Sequence, residues 1–180
     1  DTPGLSDPVA YRSQISKDYI HSANAVLVCV EAKKIYKEEV QTIASVFSFS
    51  SHKKDKVYII ATHWDNFNDP IEDWKRQKAY LVSQLTGKAF FDTPEIAEKN
   101  IVYSAAYVYN LCRDYDSLVI KSEEERKKGL KKLNILPMLL DLDDFNPDLL
   151  SDREKLMEFT NVSHVNQIIV DELVNQYSHL

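Results

Sequence analysis

Three short runs of β-branched and apolar residues constrain the fold of this chain more than any other feature. The runs occupy residues 25–30, 57–62 and 101–104. Continuous apolar runs of this length, without polar alternation, are typical of parallel strands covered on both faces. Helical patterns separate the runs, so the sequence predicts βαβ units with right-handed crossovers and an α/β fold.

The helices between these runs are predicted from apolar spacing and from capping residues. One apolar helix face is formed by Val40, Ile43, Ala44 and Phe47. Asp69 and Pro70 combine a capping side chain with a proline suited to a first helical turn, and Glu72 is predicted to reach back to the cap. Thr93 and Pro94 repeat this start for a shorter helix.

The pattern changes in the C-terminal third of the chain. We predict a helical insertion at about residues 107–151, which contains a charged run at 122–128. An apolar segment at 133–142 follows, and the sequence does not separate a core role from an interface role for it. The last helix is predicted from a stripe formed by Val162, Val165, Ile169, Leu173 and Tyr177. Residues 1–180 are therefore expected to belong to one domain.

Composition excludes several classes of protein. The net charge of −6 and pI near 5.4 disfavour nucleic acid as a main partner, because phosphate backbones are bound by basic surfaces. Cys29 and Cys112 are too few for a disulfide scaffold, which favours a reducing, cytoplasmic setting. Cys29 lies inside the first apolar run and is predicted to be a small core residue.

Small or polar residues occur at the ends of two predicted strands and at the start of the chain. Residues 1–4 are Asp-Thr-Pro-Gly, residues 62–65 are Thr-His-Trp-Asp, and residues 104–106 are Ser-Ala-Ala. Ligands of open parallel sheets bind at the carboxyl ends of the strands. Each segment alone is a common sequence, but their order and their positions make the combination specific.

In this order the three segments resemble three of the five motifs of GTPases, which implies GTP and Mg²⁺ as ligands. By this resemblance Asp1 would hold Mg²⁺ and the backbone N–H of Gly4 would face the γ-phosphate. Asp65 would accept two hydrogen bonds from the guanine edge, and Thr62 fits a variant of the same motif. His63 replaces the usual lysine, and it would either stack on the base or face solvent.

The resemblance has further consequences for the third segment and for the fold. The backbone around Ser104 and Ala105 would contact the base oxygen, and Trp64 and Trp74 are expected to pack near the base pocket. The implied fold is part of a P-loop GTPase-like domain, with a parallel sheet, helices on both faces and a helical insertion before the last helix.

Two other regions resemble the bacterial dynamin-like GTPases. Residues 5–8 and a helix through 11–22 are similar to the switch region of large GTPases, and the long insertion with the ending at 160–165 is similar to the bacterial pattern. This resemblance implies a parent protein that hydrolyses GTP, self-associates and remodels membranes. Any peripheral membrane contact would be made by regions outside this sequence.

Two GTPase motifs, the phosphate-binding loop and the switch I threonine, have no counterpart in the sequence. With 3 glycines, the chain lacks the Gly-x-x-x-x-Gly-Lys-Ser/Thr loop that holds nucleotide phosphates. We therefore expect a C-terminal portion of a GTPase domain that does not hydrolyse GTP alone, and we assign it no catalytic residue. Two alternatives stay open, namely a ribosome- or RNA-linked regulatory GTPase and a non-catalytic interaction module derived from a GTPase.

Overall fold

A computed structural model of the chain describes residues 18–50 and 53–177. Three parallel strands form one sheet in the order β1-β2-β3. They are β1 (Val26–Glu31), β2 (Val57–Thr62) and β3 (Ile101–Tyr103). Val26 is paired with Val57, and Ile59 with Ile101. The three apolar runs are thus confirmed as neighbouring strands of an α/β fold.

Helices connect the strands and follow β3. They are α1 (Lys37–Phe49), α2 (Pro70–Gln84), α3 (Pro94–Asn100), α4 (Ala106–Arg113), α5 (Glu123–Leu139), α6 (Leu150–Phe159) and α7 (Val162–Tyr177). Residues 18–22 are also helical. Short 3₁₀ turns lie at Ala32–Lys34, Lys54–Lys56, Trp64–Asn66 and Tyr115–Ile120. Helices α4, α5 and α6 therefore separate the last strand from the last helix.

Both helix starts that follow β2 have the predicted caps. The Asp69 carboxylate accepts a hydrogen bond from the backbone N–H of Glu72 at 3.2 Å, and the Thr93 hydroxyl accepts one from Ile96 at 3.4 Å. The prediction that Glu72 reaches back to the cap is wrong. Asp73 accepts from the Asp69 N–H at 3.1 Å instead, because the Glu72 side chain points to Lys75.

The larger hydrophobic core lies on one face of the sheet. It joins alternate strand residues to the apolar faces of α1, α2 and α5, and its fully buried members include Ile43, Ile59, Leu81, Ile101 and Leu133. The segment at 133–142 contributes side chains both to the core and to the surface. Leu133, Leu136 and Leu140 are buried in this core, whereas Ile135 and Met138 are exposed.

The opposite face of the sheet is covered less completely. Tyr58, Ile60 and Val102 form a smaller cluster there, against which Val165 and Ile168 of α7 pack. Helices therefore lie on both faces, as predicted. The predicted stripe of α7 is partly wrong, because Ile168 faces the sheet and Ile169 is 37% exposed.

Strand β1 departs from the prediction of strands buried on both faces. Leu27 is 37% exposed, and Cys29, predicted to be a core residue, is exposed as well. Among the described residues, α7 packs over β2 and β3 and leaves this part of the face open. An apolar run in the sequence therefore predicts a strand, but the burial of its side chains depends on which helices pack against it.

Candidate functional site

The loops that follow β2 and β3 lie side by side at one edge of the sheet. The Ser104 N–H donates to the Ala61 carbonyl at 2.9 Å, and the Trp64 N–H approaches the Ser104 carbonyl at 3.5 Å. Parallel strands end at the same edge, which explains this proximity. The prediction that segments 62–65 and 104–106 meet at one end of the sheet is confirmed.

Thr62 and His63 shape the turn that leaves β2. The Thr62 hydroxyl donates to the Val30 carbonyl at 3.0 Å and so ties the end of β2 to β1. His63 has a φ of 54°, a left-handed conformation in which histidine occurs more often than most residues with a side chain. Its side chain is exposed, and stacking on a base stays a prediction.

An aromatic cluster lies next to the loop that follows β2. Trp64 is 1% exposed and stacks on Tyr103 with ring centroids 4.6 Å apart, while Trp74 meets Tyr103 edge-on at 5.6 Å. Burial raises the pKa of the Tyr103 hydroxyl. The packing role predicted for both tryptophans is confirmed, and it fixes the backbone from which Asp65 projects.

Asp65 is almost fully buried and only half satisfied. Its Oδ2 lies 2.8 Å from the ammonium group of Lys132, which is carried by α5. Its Oδ1 is buried and has no hydrogen-bond partner among the described residues. A buried acceptor without a donor is costly, and such a group in a native structure calls for an explanation.

Lys132 is a site residue that the sequence did not reveal. Besides its ion pair, it donates to the Asp65 carbonyl at 3.0 Å and to the Asn66 side-chain oxygen at 2.9 Å. A hollow of 190 Å³ borders Asp65, Lys132 and Leu136. Lysines next to a charged helical run normally face solvent, so the sequence carries no signal for this contact.

The turn before α7 supports the loop after β3. The Ala105 N–H donates to the Thr160 carbonyl at 2.9 Å, and the Asn161 side chain donates to the Tyr103 carbonyl at 2.9 Å. The Ala105 donor, expected to face a base, is therefore engaged within the protein. Backbone N–H groups in the first turn of a helix have no intrahelical partner, so those of α4, which begins directly after Ala105, are alternative donors.

The phosphate side of the predicted site lies outside the described residues. Both Asp1, the predicted Mg²⁺ ligand, and Gly4 belong to this part of the chain. In residues 18–50 and 53–177, no group of three His, Cys, Asp or Glu side chains is placed to hold a metal ion. Of the predicted site, the structure describes the segments at 62–65 and 104–106 only.

Comparisons with protein-family models, curated proteins and solved structures found no match. The function has to be inferred from the residues of this chain.

Two further properties bear on where ligands could bind. A groove of 510 Å³ lies at the opposite end of β2, beside α7. The carboxylate of Glu172, which lines this groove, is already paired with the Tyr58 hydroxyl at 2.5 Å and with Lys56 at 2.9 Å.

Within the described part of the chain, no helix has the length and apolarity needed to cross a bilayer.

Proposed function

We propose that this chain supplies the base-reading side of a guanine-nucleotide site in a GTP-hydrolysing protein similar to the bacterial dynamin-like GTPases. The observation that carries the proposal is the Oδ1 atom of Asp65. It is a buried carboxylate oxygen without a donor among the described residues, at the carboxyl end of the middle described strand. The Ser104 loop lies beside the preceding residue, because the Trp64 N–H approaches the Ser104 carbonyl at 3.5 Å.

The chemistry of a carboxylate at this position suits guanine. Guanine presents two adjacent N–H donors on one edge, whereas adenine presents an acceptor there that a carboxylate repels. Hydrogen bonds to a charged group contribute about 1.5–3 kcal/mol each. Asp65 would therefore provide the discrimination that a GTP site needs, whereas the N–H groups of Ser104 and Ala105 are engaged within the protein. The partial P-loop GTPase-like fold is part of the same proposal.

The phosphate side of the proposal relies on the resemblance of residues 1–4. Asp1 is the candidate Mg²⁺ ligand, and the backbone N–H of Gly4 is the candidate contact to the γ-phosphate. Hydrolysis would proceed by attack of a positioned water with electrostatic stabilisation of the phosphoryl group. It also needs the phosphate-binding loop that this sequence lacks, so we assign the reaction, self-association and membrane remodelling to the intact protein.

One observation favours a second candidate function. Lys132 pairs with Asp65 inside the protein, as expected if the carboxylate has become a structural group. The chain would then be a non-catalytic interaction module derived from a GTPase. Among the described contacts, nothing specifically favours an RNA-linked GTPase, and the net charge of −6 opposes it.

Direct titration separates these candidates. Labelled GTP is added to the intact protein with and without Mg²⁺, and unlabelled ATP and XTP are used as competitors. The proposal predicts saturable GTP binding that Mg²⁺ strengthens and that ATP does not displace. Absence of guanine-nucleotide binding by a correctly folded protein would support the interaction module instead.

A further inference from the structure

The contacts of Lys132 point to an additional residue that controls base affinity at this site. We propose that the Lys132 side chain is an internal competitor of the guanine base, which must leave Asp65 before a nucleotide binds. This inference rests on the proposed function, because it concerns the same carboxylate.

Lys132 uses the hydrogen-bonding capacity that a base would need. An ammonium group has three donors, and those of Lys132 engage Asp65 Oδ2, the Asp65 carbonyl and the Asn66 side chain. Guanine offers two adjacent donors, which require both carboxylate oxygens. Each carboxylate oxygen has about two acceptor sites, and Lys132 occupies one of those on Oδ2, so a base that approaches Oδ2 competes with the ammonium group for this oxygen.

The size of the hollow beside Asp65 also indicates that the observed arrangement does not accommodate a base. Its volume is 190 Å³, whereas sites that enclose whole ligands usually exceed about 300 Å³. The Asp65 side chain is 2% exposed, so a base cannot reach the carboxylate in the observed arrangement, in which Lys132 contacts it directly. Access requires a movement of the elements that cover it.

The Lys132 side chain is the part able to move. The helix that carries it is fixed, because Leu133 and Leu136 are fully buried and Gly129 packs closely against Leu111. The Lys132 side chain is 22% exposed and has a flexible four-carbon stem. Its ammonium group can therefore exchange Asp65 for water without any displacement of α5.

Removing the ammonium group should open the site. Lys132 is the one cationic partner of Asp65 among the described residues. A buried carboxylate that loses such a partner is strongly unfavourable, so the closed loop becomes less stable relative to an open, hydrated one. A ligand that binds only the open form then pays a smaller conformational penalty. Lys132→Met keeps the length of the stem and removes the charge, which makes it the appropriate variant.

The first experiment measures nucleotide affinity in the intact protein. We expect K132M to bind GTP roughly tenfold more tightly than the wild type, since the competent fraction rises, and K132R to stay near the wild type. K127M is the matched control, because Lys127 is exposed on the same helix and does not border the hollow beside Asp65. Unchanged GTP affinity in K132M contradicts competition. Weaker binding that K132R restores also contradicts it and indicates that Lys132 supports the site.

The second experiment needs no nucleotide. Amide hydrogen exchange is compared between the wild type, K132M and K127M. We expect faster exchange at Trp64–Asn66 in K132M alone, with full protection retained around Leu133 and Leu136 as the control for folding. Unchanged exchange at Trp64–Asn66 contradicts the role of Lys132 in closing the loop.

The two experiments distinguish failure of this inference from failure of the proposed function. If neither the wild type nor K132M binds a guanine nucleotide, the proposed function fails and competition with a base fails with it. Faster exchange in K132M would then assign Lys132 a purely structural role in the loop. If the wild type binds GTP and K132M binds it equally well, the proposed function stands and the inference about Lys132 is wrong.

Discussion

The ammonium group of Lys132 lies 2.8 Å from the Asp65 carboxylate, although 67 positions separate the two residues. This ion pair connects a helix that follows β3 to the loop at the end of β2. A ligand that binds the Asp65 carboxylate would therefore also meet the Lys132 side chain of α5. The same contact neutralises a carboxylate whose other oxygen has no partner among the described residues.

The cap at the start of α2 should contribute measurably to stability. Asp69→Ala removes the acceptor for the Glu72 N–H, and loss of such a cap costs about 1 kcal/mol. Glu72→Ala is the control, because its ion pair with Lys75 is exposed and contributes roughly 0–0.5 kcal/mol. Urea unfolding of both variants measures the difference. Equal free energies of unfolding would show that the cap is not formed.

The contact between α5 and α4 should not tolerate a larger side chain at Gly129. A Cβ atom there would lie 2.9 Å from the Leu111 Cδ2. Gly129→Val therefore overpacks the contact and should lower the free energy of unfolding by roughly 1–3 kcal/mol. Lys131→Val, at an exposed position of the same helix, should change it by about 0.5 kcal/mol or less. A stable G129V protein would place α5 further from α4 than the structure does.

Cys112 should make the protein less stable in alkali. Burial raises the pKa of its thiol from the ordinary 9.0 to about 11, against a smaller opposing effect of Arg153. The unfolded thiol thus loses its proton first, so the free energy of unfolding falls as pH rises from 9.0 to about 11. Below pH 9.0 the thiol keeps its proton in both the folded and the unfolded state, so Cys112 does not lower the free energy of unfolding there.

The variant Cys112→Ala tests this pH dependence. Its free energy of unfolding should fall less steeply between these pH values than that of the wild type. The difference in slope should not exceed about 1.4 kcal/mol per pH unit, the value for one proton. Tyr58 and Tyr103, whose pKa values are also raised by burial, are present in both proteins. Parallel curves would show that Cys112 titrates normally in the folded state.

Much of the fold was predictable because its signals are local. The apolar runs gave the strands, and Asp69 and Thr93 gave the helix starts, since capping depends on residues three positions apart. The adjacency of the segments at 62–65 and 104–106 follows from parallel topology. These features need no knowledge of distant contacts.

The remaining features depend on tertiary packing and could not be read from the sequence. Cys29 and Leu27 lie in a run as apolar as that of β2, yet no described element covers them. The orientation of α7 partly buries Ile168 and exposes Ile169, which is a difference of one residue in the packed face. Lys132 finds its partner far along the chain, in a loop whose position the helix itself does not encode.

Base choice by Asp65 is the central claim, and nucleotide competition between GTP and XTP tests it. Xanthine has an acceptor where guanine has its amino donor. Asp65→Asn supplies one acceptor and one donor, so it matches xanthine, whereas Asp65→Ala matches neither base. His63→Ala serves as a comparison within the same loop, since the His63 side chain is exposed and stacking tolerates any purine.

The measurement is the ratio of GTP to XTP affinity for the intact wild-type protein, D65N and D65A. We expect D65N to lose GTP affinity and gain XTP affinity, D65A to lose GTP affinity without the gain, and H63A to keep the wild-type ratio. Loss of a charge-assisted bond of about 1.5–3 kcal/mol corresponds to roughly a ten- to a hundredfold change. An unchanged preference for GTP in D65N would contradict the assignment of Asp65 as the base-reading residue.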